Sequence, residues 1–284
     1  MQMTSRFVLL FVAIVSACAT TPSREAVPLT SVQGMPFLTV EVSLDGTGPV
    51  KMIVDSGASE TVLADWFVEE RKIPLAGAAV KGTDSGGFSF EAKRAAVRAL
   101  TVGGTRREVG QLYVVPVPPP FRQLGIAGIF GPQEFFKGEA FTLDFPNKRL
   151  ERGLRSGSGG RVLALTPCSE KQSNKYLVEA ELNGIAGRFY IDTGGRSAAI
   201  TPQFAKKLGT LATTSATRAG VGSTRVVQRI GSAELRLGGV VASVPVDIET
   251  KGVSCPTADG KLGNDFLKDY ALGFSADRKT LTLL

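Results

Sequence analysis

An internal repeat constrains the fold of this chain more than any other feature of its sequence. Residues 50–57 (VKMIVDSG) and 187–194 (GRFYIDTG) both contain a basic residue, three apolar or aromatic residues and then Asp-Ser/Thr-Gly. Each segment is preceded by an Asp-Gly or Asn-Gly pair, at 45–46 and 183–184, which is a strong signal of a tight turn between strands. The sequence therefore predicts two copies of one unit, in each of which a strand ends at an Asp residue.

The repeat continues through the second half of each unit. Residues 128–136 (GIFGPQEFF) correspond to residues 260–267 (GKLGNDFL), and both segments contain two glycines separated by two residues. Further along, the strand-like residues 141–150 correspond to residues 270–281. A correspondence over this length indicates that the whole body of the protein arose as one unit used twice.

The limits of the repeat predict the domain organisation. One lobe extends over residues 34–152 and the other over residues 162–284, and the residues between them, 153–161, contain SGSGG, which is typical of a flexible linker. We expect an all-β fold with short helices, because alternating apolar and polar runs are separated by Gly-rich turns. Examples of such runs are residues 37–44, 97–102 and 233–237.

Two Gly- and Ser-containing segments occupy matching places in the two units. They are residues 81–91 (KGTDSGGFSFE) and residues 218–226 (RAGVGSTRV), and each lies between strand-like runs. Either segment is consistent with a mobile hairpin over a cleft or with an ordinary surface turn.

The composition excludes several classes of active site. The chain contains no histidine, which removes Ser-His-Asp and Cys-His catalysis and histidine-ligated zinc. Three scattered cysteines do not form a Cys-rich zinc site either. We therefore expect neither a metal nor a cofactor. The net charge of +7 is spread along the chain without a nucleic-acid-binding motif, so we expect a solvated basic surface and no nucleic-acid partner.

The N-terminus resembles an export signal. Residues 1–17 contain a positive residue, Arg6, followed by the apolar run 7–15 (FVLLFVAIV), which is too short to span a bilayer. The next residues, 15–18 (VSAC), resemble the lipobox of bacterial lipoproteins, in which the cysteine becomes lipidated. This resemblance implies that Cys18 carries the lipid anchor, and the alternative is an ordinary signal peptide with an incidental cysteine.

The residues after Cys18 indicate a location. Ala19 is not the Asp that is the usual inner-membrane retention signal, so the resemblance implies an exported protein anchored in the outer membrane and facing the periplasm. The polar, Pro-containing residues 18–33 are predicted to be a tether. Because the periplasm permits disulfides, Cys168 and Cys255 are either bonded to each other or two buried free thiols.

The two Asp-Ser/Thr-Gly triplets resemble those of the pepsin–retropepsin group of aspartic peptidases. One such triplet proves little, but both triplets follow an apolar strand and precede an apolar-apolar-Gly segment, and residues 263–267 (GNDFL) look especially like the retropepsin-type consensus. The resemblance implies the bilobal acid-protease fold, with two β-barrel-like lobes facing each other across a cleft that binds a peptide or protein. Since one chain carries both lobes, it also implies a monomer.

The resemblance assigns roles to the residues of the triplets. Asp55 and Asp192 are the implied catalytic carboxylates, which share one proton and activate a water molecule between them. The hydroxyl groups after each Asp are expected to lock the two loops together, and the glycines are expected to keep the backbone close to the carboxylates. These supporting residues are Ser56, Gly57, Thr193 and Gly194.

Two departures from the pepsin pattern affect the expected acidity. Pepsin-like enzymes usually have Ser or Thr three residues after the Asp, whereas this chain has Ala58 and Gly195. Without such donors the ionised carboxylates are less stable, which raises the pKa of the pair and favours an activity optimum less acidic than that of pepsin. Arg196 is either a surface residue bonded to a carbonyl or carboxylate, or a cleft residue that recognises an acidic group and lowers the pKa of the pair.

The function that the sequence favours is thus an aspartic endopeptidase anchored in the cell envelope. One alternative is a catalytically inactive, peptide-binding lipoprotein of the same fold. Another is a β-rich carrier of lipids or small molecules, which would not explain the duplicated Asp-Ser/Thr-Gly.

Overall fold

The computed structural model describes residues 26–155, 159–168 and 174–284. These residues form an all-β protein with a few short helices, which confirms the predicted fold class. The predicted signal of residues 1–17 and the predicted lipidation site Cys18 lie outside the described residues. Among the helices that are described, none is long and apolar enough to cross a membrane.

The first unit contains thirteen strands and three helices within the described residues. Its strands are β1 (Ala26–Pro28), β2 (Thr30–Ser31), β3 (Leu38–Leu44), β4 (Val50–Val54), β5 (Val62–Ala64), β6 (Val80–Thr83), β7 (Ser89–Ala95), β8 (Ala99–Val102), β9 (Thr105–Glu108), β10 (Leu112–Val115), β11 (Ile126–Phe130), β12 (Phe141–Asp144) and β13 (Arg149–Arg152). Its helices are α1 (Asp65–Glu70), α2 (Pro119–Gln123) and α3 (Pro132–Phe135).

The second unit contains eleven strands and two helices within the described residues. Its strands are β14 (Arg161–Ala164), β15 (Thr166–Pro167), β16 (Tyr176–Leu182), β17 (Ile185–Ile191), β18 (Ala198–Ile200), β19 (Thr213–Gly220), β20 (Ser223–Leu237), β21 (Val240–Ile248), β22 (Gly260–Leu262), β23 (Ala271–Phe274) and β24 (Thr280–Leu283). Its helices are α4 (Pro202–Lys207) and α5 (Asn264–Leu267).

The two predicted turns are present, as a two-residue loop in the second unit and as the start of a longer connection in the first. Asp45 and Gly46 connect β3 to β4 with φ angles of 49° and 79°, and Asn183 and Gly184 connect β16 to β17 with φ angles of 49° and 78°. Two consecutive residues with positive φ define the turn that matches the twist of adjoining strands, and Asp-Gly and Asn-Gly adopt it readily. Each turn directs the chain into the strand that ends at an Asp residue.

Each lobe is built around a pair of parallel strands. In the first lobe β4 pairs with β11 in parallel, and in the second lobe β17 pairs with β22 in parallel. Both pairs belong to larger sheets whose strand orders are β6-β7-β10-β5-β11-β4-β3-β8-β9 and β15-β16-β17-β22-β18-β21-β20-β19. The ends of β4 and β17, which lead to the Asp residues, are buried, so their positions are determined by packing on both faces.

The lobes share a sheet in addition to the linker between them. A six-stranded sheet has the order β1-β13-β12-β23-β24-β14 and so contains the final hairpin of each unit. At its centre β12 pairs with β23, and the rings of Phe141 and Phe274 stack with their centroids 4.8 Å apart. The ends of the predicted lobes therefore form one common base beneath the cleft, which the repeat alone did not reveal.

The prediction that residues 18–33 form a tether is wrong for residues 26–33. Within residues 18–33, β1 pairs with β13 and β2 pairs with β3, so the chain from residue 26 onward belongs to the folded body. Leu29 and Val32 are buried, and the burial of these two apolar side chains stabilises the segment against the folded body. Pro28 is tolerated because β1 is an edge strand.

The two cysteines of the folded body form a disulfide and are not free thiols. Cys168 and Cys255 are bonded, with their Cα atoms 6.0 Å apart and a separation of 87 positions in the sequence. The bond packs against the buried residues Leu177 and Tyr190. It attaches the segment around Cys255, part of which lines the cleft, to the start of the second lobe.

Candidate active site

Asp55 and Asp192 follow directly after the equivalent strands β4 and β17. The backbone N–H of Asp55 donates to the carbonyl of Phe130 at 2.9 Å, and that of Asp192 donates to the carbonyl of Leu262 at 3.0 Å. Each Asp is thus held by the parallel neighbour of its own strand, β11 or β22. The two units position their carboxyl groups by the same backbone bonds.

The second Gly-containing segment of each unit lies directly beneath the Asp loop. A Cβ atom on Gly263 would lie 2.6 Å from the carbonyl oxygens of Arg196 and Ser197, and one on Gly131 would lie 3.0 Å from the carbonyl carbon of Glu60. In the second lobe the N–H of Asn264 also donates to the carbonyl of Gly195 at 2.8 Å. These segments therefore brace the loops that contain Asp55 and Asp192.

The residues after the two Asp residues join the lobes by reciprocal hydrogen bonds. The Ser56 N–H donates to Thr193 Oγ1 at 2.9 Å, and the Thr193 hydroxyl donates to the carbonyl of Val54 at 2.9 Å. In return, the Ser56 hydroxyl donates to the carbonyl of Ile191 at 2.9 Å and accepts the Thr193 N–H at 3.3 Å. This arrangement is the one that the sequence predicted for the two hydroxyl groups.

Gly57 and Gly194 allow the carboxyl group of each lobe to lie against the loop of the other. A Cβ atom on Gly194 would lie 2.3 Å from Asp55 Cγ, and one on Gly57 would lie 2.9 Å from Asp192 Oδ1. The N–H groups of both glycines donate to Asp55 Oδ1, at 2.7 Å from Gly57 and 3.1 Å from Gly194. No side chain fits at either position without displacing a carboxyl group.

Asp192 is buried and Asp55 is partly buried, and the two neighbouring carboxyl groups are unequal in acidity. Burial and the charge of Asp192 raise the pKa of Asp55 to about 7, against the opposing hydrogen bond from Gly57. Burial acts in the same direction on Asp192, but the ammonium group of Lys261 and the guanidinium of Arg218 bring the pKa of Asp192 below its usual value. Opposite pKa shifts in two adjacent carboxyl groups favour a pair that holds a single proton.

Lys261 is the residue that the sequence reasoning missed. Its Nζ donates a hydrogen bond to Asp192 Oδ2, and its side chain is only 2% exposed. The signal was present in the repeat, because Lys261 occupies the position in GKLG that Ile129 occupies in GIFG. A lysine in place of a buried isoleucine marks a difference between the two half-sites.

Arg196 lies at the edge of the site and not at the carboxyl pair. It is exposed, lines the cleft and donates from Nη2 to the carbonyl of Gly34 at 3.1 Å. The cations that lower the pKa of Asp192 are Lys261 and Arg218, so the tuning role considered for Arg196 belongs to these residues. Recognition of an acidic substrate group by Arg196 stays a prediction.

The cleft above the carboxyl pair has a volume of about 1040 Å³ and two different walls. Apolar and aromatic side chains from the first lobe line one part: Met35, Phe37, Tyr113, Val115, Phe121 and Ile129. Charged side chains from the second lobe line the other: Lys175, Arg196, Arg218, Arg229 and Asp247. Within the described residues, no group of three or more Cys, Asp or Glu side chains is arranged to bind a metal ion.

Both predicted Gly-containing segments are hairpins that border this cleft. The first is formed by β6 and β7 and the second by β19 and the start of β20. Arg225 of the second hairpin donates to Asp84 Oδ2 of the first at 3.0 Å and to the carboxylate of Glu249. The two hairpins are therefore joined by a buried ion pair, which we call the latch (Asp84, Arg225 and Glu249).

Comparisons with known proteins agree with this architecture. The sequence profile of a family described as aspartyl protease matches residues 40–133 and 178–266, one segment in each lobe. Among solved structures, the chain is similar to that of aspartic proteinase from Irpex lacteus, with a TM-score of 0.55 and 15% sequence identity. This similarity covers 91% of the present chain and 96% of the other, and it concerns the fold. No curated protein sequence matches the chain.

Proposed function

Since the chain belongs to the aspartyl protease family, we propose that it is an aspartic endopeptidase that hydrolyses peptide bonds with a water molecule activated by Asp55 and Asp192. The observation that carries this proposal is the pair of neighbouring carboxyl groups at the junction of the lobes, to which each lobe contributes one member. The pair lines a cleft large enough for an extended peptide.

The acidity of the pair supports this chemistry. Hydrolysis without a metal or a covalent nucleophile requires one group that accepts a proton from water and another that donates a proton to the carbonyl oxygen. Two adjacent carboxyl groups with different pKa values supply both at once. Because the pKa of Asp55 is about 7, the singly protonated pair persists to near-neutral pH. This supports the expectation of an optimum less acidic than that of pepsin.

The same proposal includes the location of the enzyme. The lipobox-like residues 15–18 support lipidation of Cys18 and anchoring in the outer membrane, with the catalytic body in the periplasm. The disulfide between Cys168 and Cys255 is consistent with an oxidising compartment. Because one chain supplies both carboxyl groups, the enzyme acts as a monomer.

The proposal is tested by measuring cleavage of a peptide library by the wild-type protein and by the Asp55→Asn and Asp192→Asn variants from pH 3 to pH 8. We expect each variant to lose at least about 10³-fold of the activity, since removing one member of a catalytic pair disables the unit. Asp269→Asn is the matched control, because Asp269 is exposed and lies outside the cleft. Equal activity in wild type and both site variants would contradict the proposal.

A second function is favoured by one specific contact. The hydrogen bond from Lys261 stabilises the charge on Asp192 and so weakens this carboxylate as a base. An inactive, peptide-binding lipoprotein of the same fold would retain the cleft without turnover. Peptide binding by a wild-type protein that cleaves nothing at any pH would favour this second candidate.

A further inference from the structure

We propose that Lys261 is a positioning residue that holds the negative charge on Asp192 and leaves the shared proton on Asp55, so that the two carboxyl groups have fixed roles in catalysis. Asp192 is then the base that accepts a proton from water, and Asp55 is the acid that protonates the carbonyl oxygen. This inference rests on the proposed peptidase function and specifies how the roles of the two carboxyl groups differ.

The first observation is the contact itself. Lys261 Nζ donates to Asp192 Oδ2, and the two side chains are 2% and 5% exposed, so the ion pair is shielded from water. The backbone of Lys261 is fixed on both sides, because β22 lies between β17 and β18 in the sheet. A buried ammonium group on a rigid strand keeps its charge at one carboxyl oxygen.

The second observation is that an uncharged residue stands at the equivalent position of the first lobe. The repeat places Ile129 on β11 where the second lobe has Lys261 on β22, and both residues line the cleft. Asp55 is instead held by two neutral donors, the backbone N–H groups of Gly57 and Gly194. The charge is therefore asymmetric within an otherwise symmetric backbone.

The third observation is that Gly195 leaves space for the ammonium group of Lys261. A Cβ atom on Gly195 would lie 2.8 Å from Asp192 Oδ2, the oxygen that Lys261 binds. Gly195 is the position at which pepsin-like enzymes usually carry a hydroxyl donor. In this chain the missing neutral donor is replaced by a charged one from another strand.

Other titratable groups around Asp192 do not cancel the difference in charge between the two lobes. Arg218 on β19 acts in the same direction as Lys261, but it also pairs with the carboxylates of Asp247 and Glu249. Tyr190, which pairs with Lys261 across the sheet, has a pKa well above its usual value because of burial and the nearby Asp192. Tyr190 is accordingly neutral when Asp192 is charged.

The assigned roles give a balanced reaction. The water oxygen forms a bond to the peptide carbonyl carbon, its proton passes to Asp192, and the Asp55 proton passes to the carbonyl oxygen, which gives a neutral gem-diol. In the second step one hydroxyl of this intermediate returns a proton to Asp55 and Asp192 protonates the peptide nitrogen. The carbon–nitrogen bond then breaks, and the pair regains its original protonation.

The experiment replaces Lys261 with the residue of its repeat partner, Lys261→Ile, and with the uncharged donor in Lys261→Gln. We expect the acidic limb of the kcat/KM profile to move upward by about one to three pH units in both variants, because an adjacent opposite charge shifts a carboxyl pKa by that amount. Activity at a pH below the new limb then falls by about 10-fold or more, mainly through kcat. Lys206→Met, an exposed lysine outside the cleft, is the control and should leave the profile unchanged.

A second measurement does not depend on activity. Carbon-13 NMR of aspartate carboxyl groups in the full-length protein, assigned with Asp55→Asn and Asp192→Asn, should show Asp192 ionising first in the wild type. The difference between the pKa values of the two carboxyl groups should decrease in Lys261→Gln. A wild type in which Asp55 ionises first, or a Lys261→Gln variant with an unchanged titration, would overturn the inference.

The two measurements separate failure of this inference from failure of the proposed function. If Asp55→Asn abolishes cleavage while Lys261→Gln leaves the profile and the titration unchanged, the peptidase function stands and the role of Lys261 is wrong. If the wild type cleaves no peptide, the peptidase function fails, and the NMR titration still decides whether Lys261 holds the charge on Asp192.

Discussion

Ser56 and Thr193 each bond to the backbone of the other lobe, with the Ser56 N–H donating to Thr193 Oγ1 at 2.9 Å and the Thr193 N–H donating to Ser56 Oγ at 3.3 Å. Both residues are buried and lie next to Asp55 and Asp192. The relative position of the two carboxyl groups thus depends directly on two hydroxyl groups.

Removing one of these hydroxyl groups should therefore destabilise the protein. Thr193→Val leaves the buried Ser56 N–H and the carbonyl of Val54 without their partner, and each unsatisfied group costs about 1–3 kcal/mol. We expect the free energy of unfolding, measured by urea denaturation, to fall by about 2–4 kcal/mol. Thr213→Val, at an exposed strand position, should change it by less than about 0.5 kcal/mol. A change in Thr193→Val as small as in the control would contradict the prediction.

Adding a methyl group at Gly194 should disable the site. The new Cβ atom would lie 2.3 Å from Asp55 Cγ, so the Asp55 carboxyl group must move away from Asp192. A displacement of about 1 Å in a catalytic group lowers the rate by about 100-fold, and we expect at least this loss in kcat for Gly194→Ala. The control is Gly48→Ala, because the space around Gly48 is open. Wild-type kcat in Gly194→Ala would show that the contact is unimportant.

The latch between the hairpins should control how easily the cleft opens. In Asp84→Asn, Oδ1 is still able to accept the N–H groups of Gly86 and Phe88, so the turn is preserved while the charge that pairs with Arg225 is lost. Arg225 then keeps its ion pair with Glu249 but loses the one that joins it to the first hairpin, so we expect faster amide hydrogen exchange at both hairpin tips.

The matched control for the latch is Glu91→Gln, an exposed residue on the first hairpin. Exchange at the hairpin tips should be the same in this variant as in the wild type. Equal exchange in Asp84→Asn and Glu91→Gln would indicate that the ion pair does not hold the hairpins together.

The pKa of Asp55 predicts a loss of stability on going from acid to neutral pH. Because this pKa is raised from 3.8 to about 7 on folding, the folded state binds more protons than the unfolded state between these values. The free energy of unfolding contributed by Asp55 therefore decreases as pH rises from about 4 to about 7. The lowered pKa of Asp192 affects stability only in acid. The stabilisation that ionised Asp192 contributes to the folded state is lost as pH falls below 3.8.

Thermal denaturation of the wild type and Asp55→Asn at pH 5 and pH 8 tests this prediction. We expect Asp55→Asn to lose less stability than the wild type between the two pH values, because the amide does not ionise. Other acids with raised pKa values, such as the half-buried Glu60 and Glu134, remain in both proteins, so the difference between the two proteins isolates Asp55. Identical pH dependence in the two proteins would contradict the raised pKa.

The sequence was sufficient for those features that its repeat encodes locally. The all-β fold, the turns at residues 45–46 and 183–184 and the placement of Asp55 and Asp192 at strand ends all follow from short patterns that occur twice. Such patterns predict local structure because turn preference and strand alternation depend on neighbouring residues. The lipid anchor at Cys18 stays a prediction from the same kind of pattern.

The tertiary structure decided the features that depend on residues distant in sequence. Lys261 contacts Asp192 across 69 residues, and Arg225 contacts Asp84 across 141 residues. A side chain's acidity and pairing depend on burial and on the charges that folding brings within a few ångströms, which no local pattern specifies. The sequence by itself thus identified the two carboxyl groups of the candidate site, whereas only the folded chain brought the ammonium group of Lys261 to one of them.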